Sequence, residues 1–395
     1  MIIGVPKEIM VHENRVAAIP ETVAKFVKLG LDVIVEANAG EGVYYSADDY
    51  AKAGARIAPD AESVYGQADI ILKVKEPLYD GQHSRHEIDL LREKQTLITF
   101  LHPAAPVNHA MVKTLRDKRI TAFSMDAIPR ISRAQRMDAL TSMSTLTGYK
   151  SFLIAASHYP KIIPMVGTAI GMIKPANVLV IGIGVVGLQA IATAKRLGGI
   201  VKIIDIRPNA RQEAESLGAK VAGFDVPAEL AVAAGGYAKA LPEEWLVRER
   251  EAIAETVANA DIIILSALVP GETAPLLITE SMVAAMKPGS AIVDVSIDQG
   301  GNCALTTPGA ETVKHGVYIC GIKNIPGSVP VHASWLYANN MYHYVENLLK
   351  KGGGRFDFDD EIVKSSLITH EGKIVHQGTL KALGEIPDLG TGGAK

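Results

Sequence analysis

An aliphatic run that leads directly into three spaced glycines constrains the fold of this 395-residue chain more than any other feature. Residues 178–181 are all aliphatic, and Gly182, Gly184 and Gly187 follow before a segment with helical periodicity begins. The first glycine permits a tight turn, the second lets the backbone approach a pyrophosphate, and the third lets the helix pack on the strand. Unpaired N–H groups at the helix N-terminus then face the phosphates. The segment predicts a dinucleotide-binding strand, turn and helix; a glycine turn needed only for packing is the alternative.

An acidic residue stands where a site of this kind contacts ribose. Asp205 ends the next apolar segment, roughly 20 residues after Gly182, which is the usual spacing. A carboxylate at this position hydrogen-bonds the ribose diol and repels a 2′-phosphate. The sequence therefore favours NAD over NADP, and the nearby Arg207 keeps NADP open as a weaker alternative.

Strand-like and helix-like segments alternate along the chain, the pattern of repeated βαβ units. The strand-like runs are 2–5, 31–35, 70–75, 96–101, 120–124, 178–183, 201–206, 262–265, 291–296 and 317–320. A helix at about 137–157 links two lobes, and a helix at 333–351 is expected to pack on the first lobe, followed by a loose tail. We expect an α/β protein with two doubly wound, Rossmann-like lobes and a cleft between them. The expected lobes are 1–136 with 330–395, and the NAD(H)-binding 137–329.

The composition excludes several classes of protein. The 40 Lys and Arg residues nearly balance 43 Asp and Glu residues, so no basic excess favours nucleic-acid binding. Two cysteines cannot form a disulfide framework, and no Cys/His spacing suits zinc. Charged residues interrupt the N-terminus, and the longest apolar stretch, 178–194, contains three glycines. We therefore predict no metal, no signal peptide, no transmembrane segment and a cytoplasmic location.

Several polar residues follow the predicted strands. Lys75 and His102 belong to the first lobe and Asp298 and Asn324 to the second, while Arg15 lies in the loop after the first strand. Open α/β sheets bind ligands at the carboxyl ends of their strands, so these residues are expected to meet across the cleft. An arginine can clamp a carboxylate, a lysine can polarise a carbonyl and a histidine can move a proton. The set suits hydride transfer at an α-carbon, but each residue alone is also compatible with a structural role.

These residues resemble the family of alanine dehydrogenases and NAD(P) transhydrogenase α subunits, nearly from end to end. Five segments look like alanine dehydrogenase: 3–8, 14–17, 73–77, 268–271 and 297–301. In that branch the resemblance implies that Arg15 and Lys75 hold the 2-oxo acid. It further implies that His102 is the general acid/base, and that Asp298 and Asn324 complete the pocket, with Asp298 counted as catalytic.

Other segments look like the soluble, NAD(H)-binding part of proton-translocating transhydrogenase. They are 129–140, 235–239, 300–303 and 366–376. The resemblance implies that Arg130, Gln135 and Asp138 contact the nicotinamide end of the cofactor. It also places Ser144 among the cofactor-binding residues and Tyr237 on a mobile loop that closes the site.

The two likenesses imply different reactions. A transhydrogenase subunit passes hydride to a nicotinamide on another subunit, and that branch generally lacks the catalytic histidine and lysine. Arg136 and Thr141 also stand where that branch usually has serine. We expect an NAD(H)-dependent oxidoreductase, and first the soluble α subunit of a transhydrogenase, because that likeness covers more of the chain. The alternatives are a free-standing alanine-type dehydrogenase and an NAD-sensing protein whose pocket is idle.

Each alternative implies its own partners. The transhydrogenase prediction requires separate membrane and NADP-binding subunits, which would hold the chain at the inner membrane. The dehydrogenase prediction requires a small 2-oxo acid or amino acid as substrate. Both branches of the family self-associate, so the resemblance implies a dimer or a hexamer.

Overall fold

The computed structural model describes residues 1–233, 236–269, 272–349 and 356–386. The chain folds as two compact units. The first unit comprises Met1–Met143 and Gly327–Lys395, and the second unit comprises Ser144–Pro326. The strands are β1 (Ile2–Val5), β2 (Asp32–Glu36), β3 (Arg56–Ala58), β4 (Ile70–Leu72), β5 (Tyr79–Asp80), β6 (Arg85–His86), β7 (Thr96–Thr99), β8 (Thr121–Ser124), β9 (Val166–Thr168), β10 (Gly171–Ile173), β11 (Asn177–Ile181), β12 (Ile200–Ile204), β13 (Lys220–Val221), β14 (Ile262–Leu265), β15 (Ala291–Asp294), β16 (Glu311–Lys314), β17 (Val317–Cys320), β18 (Leu367–His370) and β19 (Lys373–Ile374).

Helices and short 3₁₀ turns connect these strands. The α-helices are α1 (Pro20–Lys28), α2 (Ala47–Lys52), α3 (Ala61–Gln67), α4 (Glu87–Leu90), α5 (His109–Asp117), α6 (Ala139–His158), α7 (Val185–Arg196), α8 (Pro208–Ser216), α9 (Ala228–Ala231), α10 (Glu243–Asn259), α11 (Glu280–Ala284), α12 (Pro330–Leu349), α13 (Glu361–Ser366) and α14 (Gln377–Ala382). The 3₁₀ turns are Glu41–Val43, Pro106–Asn108, Met125–Ala127, Ser132–Met137, Val295–Gln299 and Ile325–Ser328. Within the described residues, no helix combines the length and the apolar character that crossing a membrane requires.

The first unit is built on an eight-stranded sheet in the order β19-β18-β8-β7-β4-β1-β2-β3. The six adjacent strands β8, β7, β4, β1, β2 and β3 are parallel, and β18 and β19 add an antiparallel edge. Helices cover both faces of this sheet, so neighbouring residues of β8 pack against different helices. Ala122 packs beside α5, and the Phe123 ring meets the ring of Tyr344 in α12 edge-on, with 6.0 Å between the ring centres. The strand order reverses between β1 and β4. The loops that carry Arg15 and Lys75 follow these two strands, at the place where open α/β sheets bind ligands.

The second unit has a seven-stranded sheet in the order β13-β12-β11-β14-β15-β17-β16, parallel except for β16. Successive residues of β11 pack in two different hydrophobic cores: Val178 packs with Ile191 of α7, and Leu179 packs with Ile253 of α10. The strand order reverses between β11 and β14. The glycine turn after β11 therefore lies at the topological switch point of this sheet.

Helix α6 begins at Ala139, close to the expected residue 137, because Asp138 caps it. The Asp138 carboxylate accepts the N–H of Thr141 at 2.8 Å and its hydroxyl at 2.6 Å. Farther along, a Cβ built on Gly148 would lie 2.2 Å from the Val186 carbonyl oxygen. Glycine at this position therefore allows α6 and α7 to pack at close range within the second unit.

The expected loose tail after residue 351 is wrong for much of its length. The described residues there form α13, β18, β19 and α14, and β18 pairs antiparallel with β8. The Asp360 carboxylate starts α13 by accepting the N–H groups of Ile362 and Val363. Residues 387–395 lie outside the described part of the chain.

Candidate active site

The three fingerprint glycines occupy different environments in the second unit. Gly182 has φ +87° after β11, and a Cβ there would lie 2.4 Å from the Ala267 nitrogen. A Cβ on Gly187 would lie 2.2 Å from the Gly182 carbonyl oxygen, whereas a Cβ on Gly184 would meet nothing within 4 Å. Packing therefore explains the first and third glycines but not the second. The open backbone at Gly184, the N-cap of α7, fits the approach of a pyrophosphate.

Asp205 is fixed against the glycine turn, as a ribose-binding carboxylate requires. The residue is buried at the end of β12, and its Oδ2 accepts the Ile183 N–H at 2.7 Å. Its Oδ1 accepts the Arg207 N–H at 2.8 Å. The Arg207 side chain closes an ion pair with Asp205, with Nη2 2.8 Å from Oδ2.

Tyr237 lies in a short segment that reaches the same part of the second unit. The Ala233 N–H donates to the Tyr237 carbonyl at 2.9 Å, and Arg207 Nη1 donates to the Gly236 carbonyl at 3.3 Å. Residue 235, the first of the predicted 235–239 segment, lies outside the described residues, as does residue 234. Ser144, also assigned to the cofactor, is half-buried on α6.

Asp298 and Asn324 follow the ends of β15 and β17, two neighbouring strands of the second sheet. Asp298 is exposed in the 3₁₀ turn Val295–Gln299, and its Oδ1 lies 3.7 Å from the ammonium of Lys323. Asn324 is the next residue and has φ +55°, a left-handed conformation that asparagine tolerates. The structure thus brings these two predicted residues to the same edge of one sheet.

His102 is held by a buried carboxylate that the sequence analysis did not identify. Its Nδ1 lies 2.9 Å from Oδ1 of Asp126, and its ring stacks on Phe100 with an interplanar angle of 9°. The other oxygen of Asp126 accepts the backbone N–H groups of Leu101 and His102 and the hydroxyl of Ser124. The carboxylate therefore fixes both the imidazole and the backbone, which has a left-handed φ of +44° at His102.

The electrostatics of this His–Asp pair favour the charged forms of both groups. Desolvation acts to lower the pKa of His102, but the Asp126 carboxylate outweighs it and raises the pKa above its ordinary value. Burial acts to raise the pKa of Asp126, but His102 and the hydrogen-bond donors hold it below its usual range. Lys75 is near enough to act against protonation of His102, and Glu76 favours it. Lys75 and His102 therefore belong to one electrostatic cluster.

A buried charge network holds the backbone that carries Lys75. Glu8 accepts the Val74 N–H at 2.6 Å and the Lys75 N–H at 3.3 Å. The wholly buried Lys73 ammonium lies 3.2 Å from Glu8 and 2.7 Å from Glu87. Burial raises the pKa of Glu8, and Lys73 opposes that shift. The Lys75 side chain itself is half-buried, so the network fixes its base and leaves its end accessible.

Arg15 is buried rather than exposed in its loop. Its guanidinium pairs with Glu13, with Nη2–Oε2 at 2.5 Å and Nε–Oε1 at 2.7 Å. On the other side, Nη1 lies 3.1 Å from the sulfur of Met143. Beside Arg15 is a cavity of about 170 Å³ that Glu8, Glu13 and Asn14 also line. The pairing orients the guanidinium toward a small, polar cavity in the first unit.

The residues assigned to the nicotinamide end lie around the 3₁₀ turn Ser132–Met137 of the first unit. Arg130 and Gln135 are exposed, and Asp138 caps α6. The Asp138 carboxylate therefore has a structural role that explains it without a cofactor. Arg136, a departure from the transhydrogenase pattern, lines a cavity of about 330 Å³.

The sequence analysis missed Asp126, although its position in the sequence could have identified it as a candidate site residue. It follows the apolar run of β8 just as His102 follows that of β7, so the strand-end criterion could have found it. Glu13 and Glu8 gave no such signal, because they lie in the loop after β1 and become buried only through the tertiary fold.

Two family models together match most of the length of this chain. The family model "Alanine dehydrogenase/PNT, N-terminal domain" matches residues 4–147, and "Alanine dehydrogenase/PNT, C-terminal domain" matches residues 151–377. The first part of the NAD(P) transhydrogenase subunit alpha from Rhodospirillum rubrum is 43% identical over 95% of this chain and 98% of its own length. An alanine dehydrogenase from Methanococcus maripaludis is 34% identical over 97% of this chain and 96% of its own length.

A solved structure shows the same arrangement of elements. The transhydrogenase from Sinorhizobium meliloti has a TM-score of 0.80 and 37% identity, and the match covers 95% of this chain and 99% of that one. These findings confirm the predicted family, the α/β fold with two Rossmann-like units, the oxidoreductase class and NAD(H) as the family's cofactor.

Proposed function

Because the chain belongs to the family of alanine dehydrogenases and NAD(P) transhydrogenase α subunits, we propose that it binds NAD(H) in its second unit and transfers hydride to or from a second substrate. Bound NAD(H) would supply the hydride donor or acceptor. Gly184 leaves the turn open to the pyrophosphate, and Asp205, at the end of the neighbouring strand, is the candidate for the ribose. Arg130, Gln135 and Asp138 are the candidates for the nicotinamide end, Ser144 is a further candidate for the cofactor, and Tyr237 belongs to the segment that would close the site.

The second substrate of the leading proposal is another nicotinamide nucleotide. The observation that carries it is the likeness to transhydrogenase subunits, 43% identity against 34% for an alanine dehydrogenase of similar coverage. The chain would then work with an NADP-binding subunit and a membrane subunit, and as a homo-oligomer. Its own residues would orient the nicotinamide and exclude water, and no proton would have to move at His102.

The His102–Asp126 pair favours a second candidate, an alanine-type amino-acid dehydrogenase. A histidine whose Nδ1 is held by a carboxylate exchanges its proton through Nε2, and the orienting carboxylate stabilises the protonated ring. The proton on Nε2 would go to the carbonyl oxygen of a 2-oxo acid as ammonia adds to the carbonyl carbon. The ring would then regain a proton from the added nitrogen and give it to the hydroxyl of the adduct, which leaves as water to form the imine. Lys75 would polarise the substrate's carbonyl group, and Arg15 would bind its carboxylate. Asp298 and Asn324 would complete the pocket.

Two assays on the purified chain distinguish these candidates. The first follows NADH absorbance with NAD and a panel of small L-amino acids, alanine first, at alkaline pH. The second follows hydride transfer from NADH to thio-NADP after addition of a purified NADP-binding transhydrogenase subunit. NADH binding is measured separately by fluorescence, because a chain that binds no NADH refutes both candidates.

Variants assign the activity to residues. If alanine supports turnover, His102→Ala and Lys75→Ala should abolish it, and Asp126→Asn should shift the pH profile of kcat/KM to lower pH. His83→Gln is the matched control, since His83 forms an exposed pair with Asp80 at 2.6 Å. Turnover lost in the first two variants makes the chain a free-standing dehydrogenase. Thio-NADP reduction unaffected by His102→Ala, without amino-acid turnover, supports the transhydrogenase subunit.

A further inference from the structure

Arg207 connects three segments of the second unit that are distant in sequence. Its Nη2 donates to Asp205 Oδ2 at 2.8 Å and to the Ile183 carbonyl in the glycine turn at 2.9 Å. Its Nη1 donates to the Gly236 carbonyl at 3.3 Å, one residue before Tyr237. The side chain is only 19% exposed. One guanidinium thus joins the ribose carboxylate, the phosphate-binding turn and the segment that carries Tyr237.

The Asp205 carboxylate has no acceptor position left for a ribose in this arrangement. An ionised carboxylate offers about four lone-pair sites, and four N–H groups occupy them. Two belong to the backbone of Ile183 and Arg207, at 2.7 and 2.8 Å. The other two are Nε and Nη2 of the Arg207 side chain, at 3.0 and 2.8 Å. The backbone donors are fixed, so a ribose diol can reach the carboxylate only where the Arg207 side chain leaves it.

We propose that Arg207 is a specificity and positioning residue of the nucleotide site: its side chain occupies Asp205 before nucleotide binds, and the ribose displaces it and so releases Gly236. The inference rests on the proposed NAD(H) binding and adds a residue that competes with the ligand. Binding of the adenosine half thereby changes the restraint on the segment beside Tyr237.

The same displacement affects the choice between NADH and NADPH. The 2′-phosphate of NADPH is repelled by Asp205, but a guanidinium that has left Asp205 is a ready partner for that phosphate. Arg207 therefore opposes NADH, by competing for Asp205, and assists NADPH, by binding its extra charge. Removing the side chain should move the two affinities in opposite directions.

Arg207→Ala and Arg211→Ala form the test pair. Arg211 is a neighbouring cation that donates to the backbone carbonyls of Asp205 and Phe224 but not to the Asp205 carboxylate. Fluorescence titration gives Kd for NADH and NADPH. In Arg207→Ala, Kd for NADH should fall about threefold to tenfold and Kd for NADPH should rise by about the same factor, the net size of one typical hydrogen bond. In Arg211→Ala, the two constants should move in parallel.

Amide exchange in the ligand-free protein gives a second readout. Without Arg207 nothing from the ribose site holds the Gly236 carbonyl, so amides 236–239 should exchange at least about threefold faster in Arg207→Ala than in wild type or Arg211→Ala. Arg207→Gln replaces the alanine variant if circular dichroism shows that the latter is unfolded.

The possible outcomes separate this inference from the proposed function. Unchanged or weaker NADH binding in Arg207→Ala, with NADPH affected in the same direction, overturns the competing role of Arg207 while NAD(H) binding stands. Unchanged exchange of amides 236–239 overturns the positioning role. A wild-type chain that binds neither nucleotide overturns the proposed function itself.

Discussion

Replacing Glu249 by glutamine should stabilise the protein, and only at neutral and alkaline pH. Glu249 lies on α10 and is 3% exposed. Burial, followed by the nearby Asp205 carboxylate, raises its pKa from 4.5 to about 7. The folded state then binds more protons than the unfolded state between pH 4.5 and about 7, so stability falls as pH rises through that window. At pH 5 the neutral carboxyl resembles glutamine, whereas at pH 8.5 it is a buried anion beside a second one.

The size of the expected stabilisation follows from the rise in the pKa of Glu249. A rise of about 2.5 pKa units at 1.36 kcal/mol per unit gives a ceiling of about 3 kcal/mol above pH 7. The glutamine amide must bury an NH₂ group at the same place, which offsets part of the gain. We therefore expect Glu249→Gln to raise the free energy of unfolding by about 2 kcal/mol at pH 8.5. For a unit of this size the gain corresponds to roughly 4–8 °C in Tm.

Thermal and urea unfolding between pH 5 and pH 8.5 measure the prediction. The matched control is Glu251→Gln, an exposed position on the same helix, which should alter stability by less than about 0.5 kcal/mol at every pH. The stability gained by Glu249→Gln over wild type should grow steadily with pH. A gain that is equal at pH 5 and pH 8.5, or a loss at pH 8.5, would show that Glu249 does not titrate as argued.

Two further substitutions test the packing and charges of the two units separately. Lys73→Met leaves Glu8 and Glu87 as uncompensated buried carboxylates and should cost about 3–5 kcal/mol in urea unfolding at neutral pH. The cost should be smaller near pH 5, because burial raises the pKa of Glu8 and its carboxyl can protonate there; equal costs at both pH values would contradict this prediction. Gly148→Ala places a Cβ 2.2 Å from a carbonyl of α7 and should destabilise by about 1–3 kcal/mol, whereas Gly66→Ala, where a Cβ meets nothing within 4 Å, should be neutral or stabilising.

Three strands were predicted from the sequence with their correct bounds. The runs 2–5, 262–265 and 317–320 agree with β1, β14 and β17 residue for residue. The predicted run 70–75 was too long, because β4 ends at Leu72. The next residue is Lys73, whose charge is compensated by Glu87 only in the folded protein. Strand β18 was not predicted, because its partner β8 lies about 240 residues earlier in the chain.

The candidate site shows a similar division between local and tertiary information. The glycine spacing predicted the turn and Asp205 because the backbone conformation itself requires those residues. The arrangement around Asp205 could not be predicted, since Arg207 could equally have pointed to solvent or to a phosphate. The structure shows instead that its side chain fills two acceptor positions of the carboxylate. Likewise, the ends of the predicted strands could have singled out Asp126, but only the tertiary fold shows that it contacts His102, 24 positions earlier in the chain.

The charges buried in the first unit bear on which reaction the chain performs. Three predicted residues are each held by a buried acid: Arg15 by Glu13, the Lys75 backbone by Glu8, and His102 by Asp126. A buried ion pair adds little to stability compared with apolar side chains of the same volume, and it becomes costly when one partner is lost. The fold therefore gains little from these acids as packing, and what they do is fix the position and charge of the residues they contact. Hydride transfer between two nicotinamides needs no such residues, whereas the reaction of a 2-oxo acid uses all three. Turnover of alanine that is lost in His102→Ala and in Lys75→Ala is therefore the result on which the choice between the two candidate functions depends, and the pH profile of Asp126→Asn then tests the role of the acid.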